Sequence, residues 1–217
     1  MPVNGLGERI RAGRLRRGFG LRELARKVDC SASMISQIEN GMTNPSVSTL
    51  YAISAALEIT TDSLIIGSSD AGAASFASRE AHSIDGRFPA RGALHQQHRA
   101  PTVLQPSQRR AINLERGVRW ELLTPNPESH VEFMEVTYTP GGGSTVGEHA
   151  IRHNGREYSV ILEGNLSVQV GFEQWILRPG ESMAFDSTIP HRFWNDGDVP
   201  VRAIWFVIDR WFDSEPS

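Results

Sequence analysis

The sequence predicts a protein of two folded parts, an all-α domain of five helices followed by an all-β barrel. Over residues 1–66 the apolar residues recur at the three- and four-residue spacing of helices, whereas over 101–217 they follow the two-residue period of strands. Residues 67–100 separate the two patterns, and 17 of these 34 residues are Gly, Ala or Ser. Such a stretch buries too little apolar surface to offset its ordering entropy, so we expect a flexible linker there.

Five helices fit the apolar spacing of the first part, and their ends carry start and stop signals. Ser31 and Ser46 each precede an apolar run and are candidate N-caps, while Asn40 followed by Gly41 is a helix stop signal. The predicted helices span residues 6–18, 21–28, 31–40, 46–57 and 60–64. Helices of this length joined by tight loops predict a compact all-α domain.

The second part consists of short β-rich runs separated by turn residues. The predicted strands span residues 131–138, 158–162, 166–170, 175–177, 183–185, 192–194 and 201–208. Turn signals such as Pro140-Gly141 and Pro179-Gly180 lie between them. Many short strands at this spacing predict an antiparallel sandwich or barrel over 101–217.

Composition limits the classes of protein to be considered. The chain has 217 residues, of which 39% are hydrophobic and 22% charged, as in ordinary globular proteins. Its most hydrophobic stretch, residues 203–208, is far shorter than the roughly 20 apolar residues that span a bilayer. A lone cysteine, Cys30, is in keeping with a reducing compartment. We therefore expect a cytoplasmic protein with no membrane partner.

Positive charge is concentrated in the helical part, although the whole chain has a net charge of −3. Residues 8–27 carry eight Lys and Arg against two Glu, a net charge of +6, whereas residues 67–217 carry a net charge of −5. This asymmetry favours a first domain that faces a polyanion and a second that does not. The alternative reading of the basic block is a solvated helix face.

Residues 21–40 contain two short helices joined by a tight turn, the second of which begins at a capping serine. The accompanying residues are Leu24-Ala25, Ser31, Ile35, Ile38, Glu39-Asn40-Gly41, Asn44-Pro45-Ser46 and Leu50. On these residues the chain resembles the lambda-repressor-like (Xre) helix-turn-helix family from about residue 7 to residue 64. The resemblance implies a five-helix DNA-binding domain that sets a recognition helix, residues 32–40, into the major groove of an operator.

The same resemblance implies a set of DNA-binding residues. Groove-facing positions include Gln37, which can pair with the N6 and N7 atoms of adenine. Phosphate contacts are expected from helix N-termini near Leu21 and Ser31, from Arg22 and from the loop before Pro45. The predicted set is Leu21, Arg22, Ser31, Ala32, Ser33, Ser36, Gln37, Asn40, Thr43 and Asn44.

Three further positions of this domain have expected structural roles. Asp29 stands in the turn where the family usually has glycine, and Asp is among the few residues that tolerate a positive φ. Cys30 occupies what is normally a small apolar core position, which favours packing over redox sensing. Arg14 and Glu39 match a pair that joins the first helix to the end of the recognition helix, a structural role.

A second resemblance lies in the β-rich part. Its residues are Gly147, His149, Ile151, His153, Glu157 and Gly164, then Pro179-Gly180, His191 and Asn195. Their spacing resembles the two motifs of the cupin superfamily, which implies a double-stranded β-helix barrel whose three His and one Glu converge on a divalent metal. His153, Glu157 and His191 match three of these ligand positions. Ile151 stands at the fourth and cannot bind a metal, but His149 would share its strand face and is a conceivable substitute.

Two kinds of site fit this residue set. The two His and one Glu could hold Fe(II), Mn(II) or Zn(II). A barrel that has given up its metal would instead use His149, His153, Glu157 and His191 to hydrogen-bond a polar effector. Aromatic residues of the barrel either wall a cavity or form core; they are Trp120, Phe133, Tyr158, Phe185, Phe193, Trp194 and Trp205.

The order of these two domains along the chain, helix-turn-helix and then cupin, is similar to that of the Xre-cupin class of bacterial transcriptional regulators. It implies a sequence-specific regulator, not an enzyme, whose barrel senses a small-molecule effector. A single reading head makes few contacts with double-stranded DNA, so we expect a homodimer whose contact the barrel supplies. The alternatives are a metal-dependent cupin dioxygenase or isomerase with an accessory DNA-binding head, and a toxin–antitoxin or phage-repressor partner. Ile151 at a ligand position counts against the enzyme.

Overall fold

The structure, a computed structural model, confirms the predicted fold class of a helical domain followed by a β-rich, cupin-like one. It describes residues 5–66, 103–126, 130–145, 147 and 149–208. The expected linker, 67–100, lies outside the described residues, and so do residues 209–217. None of the helices in the described ranges has the length and apolar character needed to cross a membrane.

The helical domain contains the five predicted helices. They are α1 (Leu6–Arg16), α2 (Leu21–Lys27), α3 (Ala32–Glu39), α4 (Val47–Leu57) and α5 (Thr61–Ile66). Both predicted serine caps form, because the Ser31 hydroxyl accepts a hydrogen bond from the Met34 amide and the Ser46 hydroxyl one from the Thr49 amide, each at 3.1 Å. These caps fix where α3 and α4 begin.

Close packing of α1 against α3 sets the position of the recognition helix. A Cβ atom at Gly7 would lie 2.4 Å from the Ile38 carbonyl oxygen, so only glycine allows the two backbones this close. Arg14 of α1 and Glu39 of α3 form a buried ion pair with Nε to Oε1 at 2.6 Å. Arg14 also donates to the Phe19 carbonyl at 2.9 Å. The pair therefore ties α1, the α1–α2 turn and the end of α3 together.

The turn before α3 has the conformation that its sequence predicts. Asp29 has φ +53°, in the left-handed region that the family's glycine would occupy. Next to it, Cys30 is partly buried and packs against the domain core. Burial raises the pKa of the Cys30 thiol, and the nearby Asp29 carboxylate raises it further. The thiol therefore stays protonated, which agrees with a packing role.

The β-rich domain consists of nine described strands in two antiparallel sheets. They are β1 (Ala111–Leu114), β2 (Val118–Leu122), β3 (Val131–Tyr138), β4 (Arg156–Glu163), β5 (Leu166–Val170), β6 (Glu173–Leu177), β7 (Ser182–Asp186), β8 (His191–Trp194) and β9 (Val201–Ile208). The larger sheet has the order β1-β2-β3-β9-β4-β7, and the smaller one has β6-β5-β8. Strands β1 and β2 were not among the predicted strands, although Val118, Trp120 and Leu122 alternate with polar residues and are buried.

The barrel interior receives every second side chain of the central strands. On β9 the inward residues are Val201, Ala203, Trp205 and Val207, all buried. Glu157 of β4 pairs in register with Val207 and so faces inward with them. The isolated bridge between Ile151 and His191 joins the segment before β4 to the start of β8. This pairing brings the two sequence motifs of the barrel together.

Candidate DNA-binding surface and metal centre

Helix α3 presents one face to the core and one to solvent. Ile35 and Ile38 are buried, whereas Ser33 and Gln37, which are four residues apart, are exposed. Residues at this spacing lie on the same face of a helix. The exposed face therefore carries two of the four side chains that the helix-turn-helix resemblance assigns to the major groove; the other two, Ala32 and Ser36, are partly exposed.

The other residues of the predicted DNA-binding set are accessible as well. All ten are at least partly exposed: Leu21, Arg22, Ser31, Ala32, Ser33, Ser36, Gln37, Asn40, Thr43 and Asn44. Three of them make local hydrogen bonds. The Ser31 hydroxyl caps α3 and lies 2.8 Å from the Ser33 hydroxyl, and the Asn40 side-chain amide donates to the Ser36 carbonyl at 2.8 Å. Because the Ser31 hydroxyl is already bonded, we expect the backbone amides at the N-terminus of α3, rather than this hydroxyl, to contact a phosphate.

The basic block divides into residues that serve the fold and residues that face solvent. Arg9 is partly buried and donates to the Leu64 and Ile65 carbonyls at 2.5 and 3.1 Å, and Arg14 is buried in its pair with Glu39. The exposed members are Arg11, Arg16, Arg17, Arg22, Arg26 and Lys27. Six of the eight cations are thus accessible to a polyanion.

Three of the four predicted barrel residues meet at one point. Glu157 Oε1 lies 2.9 Å from His153 Nε2 and 3.1 Å from His191 Nε2. One ligand atom of each residue lies within 4.8 Å of the other two. The structure does not bring His149 to this cluster. His149 is exposed and precedes the bridge at Ile151, whose own side chain is buried.

Hydrogen bonds on the far side of each ligand orient the cluster. His153 Nδ1 lies 3.0 Å from the Asn154 carbonyl oxygen, and His191 Nδ1 lies 2.8 Å from that of Ile189. Because a carbonyl only accepts, each neutral ring carries its proton on Nδ1 and presents a lone pair at Nε2. Trp205 Nε1 donates to Glu157 Oε2 at 2.6 Å, which leaves Oε1 facing the histidines.

The converging atoms fit a divalent cation. Both Nε2 atoms and Glu157 Oε1 are buried, and none of them has a hydrogen bond of acceptable geometry within the described structure. Three lone pairs at this distance repel one another unless a proton or a metal ion lies between them. Two imidazoles and one carboxylate are a recurrent donor set for Fe(II), Mn(II) and Zn(II).

The electrostatics of the cluster favour a bound cation. Burial alone would raise the pKa of Glu157, but the close approach and charge of His153 and His191 lower it to about 2. Burial disfavours a charged His153, yet the Glu157 carboxylate outweighs that effect and raises the His153 pKa. The buried site therefore holds a fixed carboxylate that attracts protons or a metal.

A small cavity lies against the cluster. Its volume is about 20 Å³, room for about one water molecule. Trp120, Phe193 and Trp205 line it together with Glu157, so these three aromatic residues both wall the cavity and fill the core. Tyr158, by contrast, is 39% exposed.

The helical domain also contributes to this region through residues that the sequence did not single out. The Tyr51 hydroxyl of α4 donates to Glu132 Oε2 on β3 at 3.1 Å, and the Thr61 hydroxyl donates to the same carboxylate. Burial raises the pKa of Glu132 to about 8. The negative charges of Asp62 and Glu157 contribute to that rise, while the Tyr51 hydrogen bond and His153 oppose it. The two domains thus meet at a carboxylate whose ionisation its burial disfavours.

Comparisons with known proteins identify both domains. Residues 134–207 match the family described as the cupin domain, and residues 10–64 match the family described as helix-turn-helix. The chain is 34% identical over 89 residues to the HTH-type transcriptional regulator PuuR of Escherichia coli (strain K12), covering 41% of this chain and 46% of PuuR. It is 38% identical over 61 residues to the HTH-type transcriptional regulator SinR of Bacillus subtilis (strain 168), covering 28% of this chain and 55% of SinR.

The matched segment spans about half the length of these curated relatives. A crystal structure of an HTH_3 family transcriptional regulator from Vibrio cholerae aligns with 94% of this chain and 94% of its own, at a TM-score of 0.59 and 19% identity. At that identity the likeness concerns the fold alone. It extends over 94% of the chain, whereas the match to SinR covers 28% of it.

Proposed function

Since the chain joins an Xre-like helix-turn-helix domain to a cupin domain, we propose that it is a sequence-specific transcriptional regulator whose barrel senses a ligand. The observation that carries the proposal is the amphipathic division of α3. Ser33 and Gln37 face solvent while Ile35 and Ile38 anchor the helix in the core. A rigidly held helix with an exposed polar face is what the major groove accommodates.

Base and phosphate contacts divide between two sets of residues. Gln37 is suited to a bidentate pair with adenine, and Ser33 and Ser36 tolerate several bases. The exposed arginines, with the N-termini of α2 and α3, supply phosphate contacts that fix register without reading sequence. Because phosphate neutralisation releases counterions, binding to any duplex should weaken steeply as salt rises.

Gln37→Ala tests the reading surface. The operator is first isolated by selection from random duplexes, and affinities of wild type and variant are then measured by fluorescence anisotropy at one salt concentration. One lost bidentate pair costs roughly 1–3 kcal/mol, so we expect about a 5- to 150-fold weaker complex with the operator and little change with random DNA.

The control is Gln174→Ala, which removes an exposed glutamine from β6 of the barrel and should leave both affinities unchanged. Equal losses of Gln37→Ala on operator and random DNA would remove Gln37 from base readout. A wild type that binds no duplex at all would contradict the regulator itself.

The barrel is proposed to hold a divalent metal through His153, Glu157 and His191. When bound, Zn, Fe or Mn would supply a Lewis-acid anchor for an oxygen or nitrogen atom of the effector. The protein orients these side chains through hydrogen bonds. Trp205 donates to Glu157, and the Asn154 and Ile189 carbonyls accept from the two imidazoles. Ile151 places a methyl-bearing surface where the fourth protein ligand of the superfamily would stand.

A homodimer is proposed to form through the outer face of the larger sheet. Tyr158 and Val160 of β4 and Ile204 and Phe206 of β9 line an apolar groove of about 390 Å³ there. Charged groups of both signs flank it, among them the Arg202–Glu163 pair at 2.7 Å. A face that carries both signs around an apolar centre can meet a second copy of itself across a two-fold axis, the arrangement that two operator half-sites require.

The enzyme alternative rests on the same donor set, since two histidines and one carboxylate also serve non-haem iron oxygenases. Against it, Ile151 stands where the fourth protein ligand of the superfamily would be, and redox chemistry depends on a defined coordination set. A purified protein that is loaded with metal and indifferent to DNA would favour the enzyme.

A further inference from the structure

Helix α4 of the DNA-binding domain lies over the mouth of the barrel. The Tyr51 ring stacks on the His153 ring with centroids 4.4 Å apart and an interplanar angle of 15°. It also packs against Trp120 at 5.7 Å. Nearby, the Glu115 amide donates to the Pro45 carbonyl at 3.0 Å, a backbone hydrogen bond between the two domains. The domains are therefore joined by stacking, side-chain bonds and a main-chain bond.

The helical domain completes the wall of the barrel cavity. Val47 and Tyr51 line it opposite Met134, Glu157 and Trp205 of the barrel. With α4 in place the free volume is about 20 Å³, whereas small-molecule pockets measure roughly 300–1,000 Å³. No metabolite fits into that space until Tyr51 leaves it.

We infer that α4 is the lid of the effector site, and that Tyr51 occupies within it the place that the effector takes. Docking of the DNA-binding domain and entry of the effector then exclude each other. The inference rests on the proposed function of the barrel as a ligand-binding domain.

The surroundings of Tyr51 define the chemical class of the effector. A planar group can stack on His153 in place of the phenol, and the Glu132 carboxylate can accept a hydrogen bond from a hydroxyl or amino group. Trp120 and Val47 contribute apolar surface on either side. The effector expected from these contacts is a small flat molecule that carries a hydrogen-bond donor.

Exclusion of this kind couples the effector to the DNA-binding heads. A ligand that binds only the undocked state shifts the population toward free heads in proportion to its concentration over its Kd. Ser33 and Gln37 are exposed even in the docked arrangement, so docking controls how the heads are oriented rather than whether their reading surface is covered. Release by effector would change the spacing of two heads on an operator.

Hydrogen exchange at the Glu115 amide reports docking in the full chain. In wild type its bond to Pro45 should protect it, and Tyr51→Ala should accelerate its exchange at least tenfold. Tyr51→Phe keeps the stacking but loses the Glu132 bond, and should give an intermediate rate. Leu15→Ala, an exposed position on α1, should match wild type. Equal Glu115 exchange in Tyr51→Ala and wild type would overturn the lid.

The probe for the ligand site is 4-methylphenol, which reproduces the side chain of tyrosine. It should accelerate Glu115 exchange in wild type in a saturable manner, because it competes with the tethered ring. Tyr51→Ala should bind it at least tenfold more tightly than wild type, since the competitor is gone. Equal affinities of the two proteins for 4-methylphenol, or no saturable binding to either, would overturn the inference.

Failure of the inference can be distinguished from failure of the proposed function. Suppose that wild type binds an operator, that Gln37→Ala weakens this binding, and that Glu115 exchanges equally fast in wild type and Tyr51→Ala. Then only the proposal that α4 is a lid is wrong. If Tyr51→Ala accelerates Glu115 exchange but the protein binds no duplex, the proposal of a lid is supported and the proposal of a transcriptional regulator is wrong.

Discussion

Removal of the Glu39 carboxylate should destabilise the helical domain more than any surface change in it. Arg14 and Glu39 are 7% and 8% exposed, and two charge-assisted bonds of 2.6 and 2.8 Å join them. Glu39→Ala leaves the guanidinium buried with only the Phe19 carbonyl as a partner, and breaking a buried pair in this way costs about 3–5 kcal/mol. A domain of this size holds roughly 3–9 kcal/mol in total, so the variant should lose about a third or more of the stability of its helical domain.

Urea unfolding separates this effect from any change in the barrel. Circular dichroism at 222 nm follows the helices, whereas the helical domain has no tryptophan and the four described ones, Trp120, Trp175, Trp194 and Trp205, lie in the β-rich domain. Arg17→Ala is the matched control, because it breaks an exposed ion pair with Glu58 and should cost under about 1 kcal/mol. The double variant Arg14→Met with Glu39→Leu should recover much of the loss, since apolar residues of similar size avoid the desolvation of both charges.

Two results would refute this reasoning. A Glu39→Ala loss below about 1 kcal/mol would mean that solvent reaches Arg14 and that the pair behaves like a surface one. An equal loss of unfolding free energy in the helical and the tryptophan signals would mean that the pair stabilises the contact between the domains rather than the packing of α3 against α1.

Three further predictions concern the barrel. His191→Ala should abolish metal content measured by mass spectrometry, while His149→Ala, at the exposed position, should retain it; undiminished metal in His191→Ala would place the ligands elsewhere. In the docked structure burial, and after it the negative charge of Asp62 on α5, raises the pKa of Glu132 to about 8, so docking favours the protonated carboxyl and should weaken as the pH rises from 5 to 8. A rise of one in the Glu132 pKa on docking makes the docking equilibrium change about tenfold over this pH range. The hydrogen-exchange protection factor of the Glu115 amide should show that change, and Glu132→Gln should make the factor independent of pH. Phe206→Glu should convert the dimer to a monomer in light scattering, whereas Ile176→Glu should not. If both variants remain dimers, the outer face of the larger sheet is not the dimer interface.

Much of the fold could be predicted because its signals are local. Ser31 and Ser46 cap helices through bonds to amides three residues away, and Asp29 adopts its left-handed turn by its own backbone preference. The runs at 131–138, 166–170 and 201–208 coincide with strands β3, β5 and β9. Strands β1 and β2 carried the same two-residue period but are short and follow an irregular segment.

The candidate metal centre was predictable only in part. The resemblance to the two cupin motifs points to His153, Glu157 and His191, and the pairing of Ile151 with His191 brings them together. The same motifs also suggested His149, which the structure leaves in solvent because the pairing that orders this segment begins after it. Trp205 was foreseen as an aromatic wall, but its bond to Glu157 depends on the registry of β9 with β4.

The sequence by itself determined the two domain types, the polar outer face of α3 and, through the resemblance to the cupin motifs, the three side chains that converge in the barrel, since periodicity and motif spacing are properties of the chain alone. Only the tertiary structure decided that Tyr51 lies on His153 and that Glu132 joins the two domains. These contacts link residues 81 and 102 positions apart, and Tyr51 has the same helical periodicity whether its ring meets water or the barrel. The physical reason is that local backbone preference fixes an element, whereas its neighbours are chosen by the packing of complete domains.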